Sequence, residues 1–137
     1  MVNSTSHPVA AVRGVRGAIT VPADEPDAVR AATRELLVAM LDRNALDLDS
    51  LISAVFTVTP DLTSAFPARA ACELGWTDVP LLCAQEIPVP GALPRCVRVL
   101  LHVTTSLPRA AIQHVYLGGA VVLRPDLAGA GGASDAG

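Results

Sequence analysis

The sequence predicts an α+β fold: one mixed β-sheet with a long helix laid across one face and short helices between strands. Two patterns and one length carry that expectation. Strand-like and helix-like runs alternate in the order βαβαββ(α)β. One amphipathic stripe is long enough for a five-turn helix. The 137 residues make one domain that buries roughly two-thirds of the surface its unfolded chain exposes.

Val9 to Val21 reads as the first strand, with Gly14 and Gly17 where backbone or ligand can approach closely. Asp24 can cap the following helix, with Pro26 in its first turn and Asp27 favourable at the dipole's positive end. The helix runs to about Arg43. Val29, Thr33, Leu36, Leu37, Met40 and Leu41 form its buried stripe, opposite Arg30, Arg34 and Asp42. Leu51 to Thr59 is β-rich and ends at the Pro60-Asp61 turn signal. Phe66-Pro67 opens a short helix that stops at Gly75. Val79 to Val89 predicts a third strand, Pro90-Gly91 a turn, and Arg95 to Thr105 a fourth strand. A turn near Pro108 to Ala111 precedes a last strand at Gln113 to Leu117, broken by Gly118-Gly119. Residues 1–9 read as a flexible lead-in and 129–137 as a disordered Gly/Ala/Ser tail.

Composition narrows the function. Hydrophobic residues reach 51% against 17% charged, so part of the surface is expected to be covered by partner subunits. A net charge of -3 argues against nucleic acid as a partner. No apolar run is long enough for a membrane helix, and Met1 to Pro8 lacks a signal-peptide pattern, which points to the cytoplasm. Cys72, Cys83 and Cys96 form no CxxC pair, so free thiols are expected and no metal site.

The strand Cys96 to Val103 carries the most informative residue. Val97, Val99, Leu101 and Val103 share one face by period two, which leaves Arg98 on the other with Leu100 and His102. An arginine among apolar strand residues needs an anion, because a buried unpaired charge costs several kcal/mol. A structural ion pair or a guanidinium at a subunit seam satisfies that need as well as a ligand does. Arg13 and Arg16 fall on opposite faces of the first strand, with Gly17 beside Arg16 leaving room for a ligand. Glu86 is a carboxylate partner for a strand arginine or for a ligand, and Tyr116 adds a hydroxyl. His102 and His114 lack metal-ligand spacing, and no phosphate loop, nucleophile triad or dinucleotide fingerprint is present. Arginines with one carboxylate and one tyrosine suit binding and electrostatic stabilisation better than covalent chemistry.

Taken together, these segments resemble the AroH class of monofunctional chorismate mutases. The matching stretches, in order, are Arg13 to Val21, Thr59-Pro-Asp-Leu62, Phe66-Pro-Ala68, Gly75-Trp76, Val79-Pro80, Cys83-Ala-Gln-Glu86, Cys96-Val-Arg98, His114 to Leu117 and Val121 to Asp126. The resemblance implies a mutase domain over residues 10–128 and a homotrimeric pseudo-α/β-barrel with active sites at subunit interfaces. It implies the Claisen rearrangement of chorismate to prephenate, with no cofactor and no enzyme nucleophile, in aromatic amino acid (Phe/Tyr) biosynthesis. Catalytic roles would fall to Arg98, at the breaking ether bond, and Glu86, which with Cys83 would take the ring hydroxyl. Arg16 and Tyr116 would hold a carboxylate. Phe66, Ala68 and Leu123 would line the apolar wall, and Arg69 and Arg124 would edge the cleft. This chain departs from the pattern at Cys72, where the family often has arginine. Cys83 and Glu86 also differ in strand parity, so reaching one ligand requires a bulge, a strand end or a backbone contact. A trimeric imine or enamine deaminase-like enzyme and a non-catalytic metabolite-binding trimer stay open as alternatives.

Overall fold

Small and β-branched residues carry Ala11–Thr20 as strand β1, and the chain then turns into an eighteen-residue helix, α1 (Pro26–Arg43). The computed structural model describes residues 9–123. The tail, Arg124 and almost all of the lead-in lie outside the described residues. A 3-10 turn at Leu48–Ser50 leads into β2 (Leu51–Val58), followed by the short helix α2 (Ala68–Glu73) and β3 (Leu81–Gln85). Strand β4 (Cys96–Thr105), a 3-10 turn at Arg109–Ala111, β5 (Val115–Leu117) and a final 3-10 segment at Gly118–Leu123 complete the fold.

The five strands form one mixed sheet in the order β3-β2-β4-β1-β5. Strand β4 runs antiparallel to both neighbours, while β5 is parallel to β1 and β3 parallel to β2. Strands β1 and β2 also run parallel, with β4 between them; α1 carries the chain from β1 to β2, and α2 carries it from β2 to β3.

Helix α1 covers one face only. Its Val29, Ala32, Thr33, Leu36, Leu37 and Met40 are buried. They meet Val15 and Ile19 of β1, Ala54 and Phe56 of β2, and Val97, Val99, Leu101 and Val103 of β4 in a single apolar cluster. Full burial of each large side chain contributes about 1.5–3 kcal/mol. Leu41, expected in the stripe, is only half-buried at its edge. The face away from α1 is left open. It carries Val12, Leu82 and Leu100, all exposed.

Three local expectations are corrected. Asp24 does not cap α1: the N-cap position is Glu25, with no side-chain capping bond. Instead the Asp24 carboxylate accepts hydrogen bonds from the Thr63 and Ser64 amides and the Thr63 hydroxyl, tying a distant loop to the helix start. The third strand is shorter than Val79 to Val89: it spans Leu81–Gln85, and Pro88 and Pro90 beyond it have no amide to donate to a ladder. Gly17 makes room for the helix rather than a ligand: a Cβ there would collide with Met40 Sδ and lie 3.1 Å from Leu36 Cδ1.

Candidate active site

Sheet register assembles the site on the open face. Thr57 of β2 pairs with Arg98 of β4, Arg98 with Ala18 of β1, and Ala18 with Tyr116 of β5. One row therefore crosses four strands with a small residue between the cation and the phenol. Arg16 lies two residues from Ala18 on the same face, opposite Leu100. Because Ala18 has no bulk to fill the gap, a cavity of about 260 Å³ opens there, lined by Arg16, Ala18, Thr57, Arg98 and Tyr116.

Glu86 enters from the far side. Its amide donates to Val58 O at 2.9 Å, which carries the β2–β3 pairing one residue past the end of β3. Its Oε2 accepts from the Thr57 hydroxyl at 2.6 Å and lies 3.2 Å from Arg98 Nε. That ion pair is off the N–H axis, so Arg98 Nε is buried without an aligned protein hydrogen bond. Tyr116 is buried, and its hydroxyl likewise has no hydrogen-bond partner among the described residues. Buried polar groups left this way are costly unless something else meets them. The Arg16 guanidinium carbon stands 6.0 Å from the Tyr116 ring centroid, at the outer limit of a cation–π contact.

The floor beneath these groups is apolar. Ala18, Cys96, Tyr116 and Ala120 form a small buried cluster, with Leu123 packed against it. Burial pushes the Cys96 thiol up to about 11 against the opposing pull of Arg98, so it stays neutral. His114 Nδ1 accepts from the Arg16 amide at 3.0 Å, joining the start of β5 to β1. Desolvation first, then the Arg16 charge, holds His114 below the ordinary histidine range.

The remaining predicted residues sit elsewhere. Cys83 pairs with Phe56 and shares its face, so it points away from Glu86 with no bulge between them. Cys83, Phe66 and Arg69 line a second cleft of about 550 Å³ between α2 and the β2–β3 edge. Ala68 opens α2 beside it, half-buried against the core. Phe66 is 72% exposed at its mouth, an unusual position for a phenylalanine that nothing covers. Within one chain, then, Arg16, Glu86, Arg98, Tyr116 and Leu123 are brought together, and Phe66, Ala68, Arg69 and Cys83 form a separate group. Among the described residues no cluster of His, Cys, Asp and Glu could hold a metal ion.

Residues 12–127 match the family model for chorismate mutase type I. The chain belongs to the type I chorismate mutase family. It is 56% identical over 117 residues to the chorismate mutase AroH of Thermus thermophilus, covering 85% of this chain and 96% of that one. The Bacillus subtilis chorismate mutase AroH is 43% identical over 117 residues, covering 85% and 92% respectively. A solved chorismate mutase from Clostridium thermocellum superposes with a TM-score of 0.80 at 49% identity, over 80% of this chain and 98% of that chain. The enzyme is thus an isomerase acting on chorismate in aromatic amino acid biosynthesis, and the family assignment disfavours the deaminase-like alternative.

Sequence reasoning missed Thr57. A threonine in a β-rich run looks like an ordinary strand residue. Only the pairing of β2 with β4 shows that its hydroxyl faces Arg98. Among the described residues, no helix of this chorismate mutase is long and apolar enough to cross a membrane.

Proposed function

We propose that the rearrangement of chorismate to prephenate takes place in composite sites of a cytoplasmic homotrimer. In each site Arg16, Glu86, Arg98, Tyr116 and Leu123 of one subunit face Phe66, Ala68, Arg69 and Cys83 of the next. The observation that carries this reading is the 260 Å³ cavity bordered by two donor groups: the Arg98 guanidinium, whose Nε faces Glu86 and whose outer nitrogens are left over, and the buried Tyr116 hydroxyl, which has no hydrogen-bond partner among the described residues. They are donors waiting for acceptors, and chorismate supplies carboxylates and an ether oxygen. Two further features support the shared site. The Cys83 and Glu86 side chains point to opposite faces within one chain, so both side chains meet one ligand when two subunits share it, the other route being a contact from the Cys83 backbone. The open sheet face and Phe66 expose apolar surface that a neighbouring copy would bury.

The chemistry follows from the charges. As the ether C–O bond breaks, a C–C bond forms to the enolpyruvyl group within the same molecule, and no proton or electron leaves the substrate. Negative charge grows on the ether oxygen, where the Arg98 guanidinium is already in place, so its interaction strengthens on the way to the transition state. Arg16 and Tyr116 hold a carboxylate, selecting the compact conformer in which the carbons that join are close. Glu86 accepts a hydrogen bond from the ring hydroxyl, with the Cys83 edge of the neighbouring subunit closing the pocket. Arg69 and Arg124, the latter outside the described residues, would screen the entrance.

Arg98→Ala tests this reading. Loss of one preplaced donor at a developing oxyanion lowers kcat by about 10²–10³, so prephenate formation should fall at least that far while light scattering still gives a trimer. Near-normal turnover, or a wild-type particle that is monomeric and active, contradicts it.

A further inference from the structure

We propose that Thr57 is a positioning residue for this isomerase: it holds Glu86 edge-on to Arg98 so that both groups stay available to the substrate. The inference rests on the proposed roles of Glu86 and Arg98. Free carboxylates and guanidinium groups favour a two-oxygen, two-nitrogen fork. Such a fork between Glu86 and Arg98 would occupy the arginine's terminal nitrogens and both carboxylate oxygens, leaving neither the ether oxygen nor the ring hydroxyl a partner. The structure shows a different arrangement. Glu86 touches Arg98 through one oxygen and the inner nitrogen, Oε2 to Nε at 3.2 Å and off-axis.

The Thr57 hydroxyl explains that geometry. It donates to the same Oε2 at 2.6 Å, a short charge-assisted bond. Thr57 and Arg98 are direct partners across β2 and β4, so the hydroxyl is fixed on the rigid sheet beside the guanidinium. Glu86, by contrast, stands one residue beyond β3, where its backbone is held to β2 by one amide bond. A long side chain at a strand end needs a second anchor to keep one orientation. With Oε2 taken by Thr57, Oε1 is the oxygen left to meet the ring hydroxyl, and the outer nitrogens of Arg98 are left for the ether oxygen.

Thr57→Val keeps the shape and removes the donor. Its kcat on chorismate should fall roughly tenfold or more, with KM changed less. Thr57→Ser, which restores the hydroxyl, should recover activity to within about threefold of wild type. A merely structural threonine would not give that pattern, since serine is a poorer strand former than valine. If Thr57→Val does not assemble, Thr57→Ala reads the same loss. Glu86→Gln measured alongside separates the two claims. A Glu86→Gln enzyme with near-normal turnover overturns the role of Glu86, and that of Thr57 with it. A crippled Glu86→Gln enzyme beside a near-normal Thr57→Val enzyme overturns the Thr57 proposal alone, as does a serine variant no better than valine.

Discussion

Arg98→Lys separates the placement of charge from its sign. In the structure the guanidinium serves two directions at once: Nε faces Glu86 Oε2 at 3.2 Å, and the rest of the fork borders the cavity shared with Arg16 and Tyr116. A lysine ammonium is a single point on a flexible stem. Drawn to Glu86, which is only 17% exposed at its side chain, it would neutralise that carboxylate and leave the ether oxygen unmet. Drawn to the ether oxygen, it would leave Glu86 as a poorly solvated anion. Either way one charge-assisted hydrogen bond is lost, about 1.5–3 kcal/mol. That corresponds to a fall of roughly 10- to 150-fold in kcat/KM. The assay is the loss of ultraviolet absorbance as chorismate is consumed, with particle mass and thermal midpoint as controls. A lysine enzyme within about threefold of wild type would show that charge alone suffices, and would refute the argument from fork geometry.

Two other perturbations test how the fold supports the site. Gly17→Ala should destabilise the protein by about 1–3 kcal/mol through overpacking against buried Met40 and Leu36; calorimetry showing an unchanged midpoint would mean that α1 has slack above β1. His114 is held below its ordinary value of 6.5, so the unfolded chain binds a proton there at a higher pH than the native one. Its contribution to stability is complete above 6.5 and is lost as pH falls through the lower folded value. Urea midpoints followed downward from neutral pH should drop in wild type, and the part of that drop just below 6.5 should shrink in His114→Gln. Parallel curves for the two proteins would contradict this.

What sequence patterns reveal here is what depends on near neighbours. The period-two alternation of Val97, Val99, Leu101 and Val103 places Arg98 on the opposite face, the structure buries those four, and the α1 stripe behaves likewise. Strand parity also separated Cys83 from Glu86 correctly. The failures are long-range. Asp24 has the chemistry of a cap, but Thr63 and Ser64 arrive from another part of the chain and take its carboxylate. Gly17 looks like space for a ligand until α1 is laid over it. Ala18 and Thr57 complete the row through Arg98 only once strand order and register are known. Local periodicity gives faces; it does not give which strand lies beside which.

The central claim is that each active site takes Arg98 from one subunit and the Phe66–Cys83 cleft from another. Subunit exchange tests it most directly. Arg98→Ala and Phe66→Asp enzymes, each expected to be inactive alone, are dissociated, mixed and reassembled, and chorismate consumption is measured. If sites are shared, some hybrid interfaces bring an intact Arg98 half to an intact Phe66 half, and activity rises well above that of either parent. If each site lies within one chain, every subunit in the mixture remains defective and no activity returns.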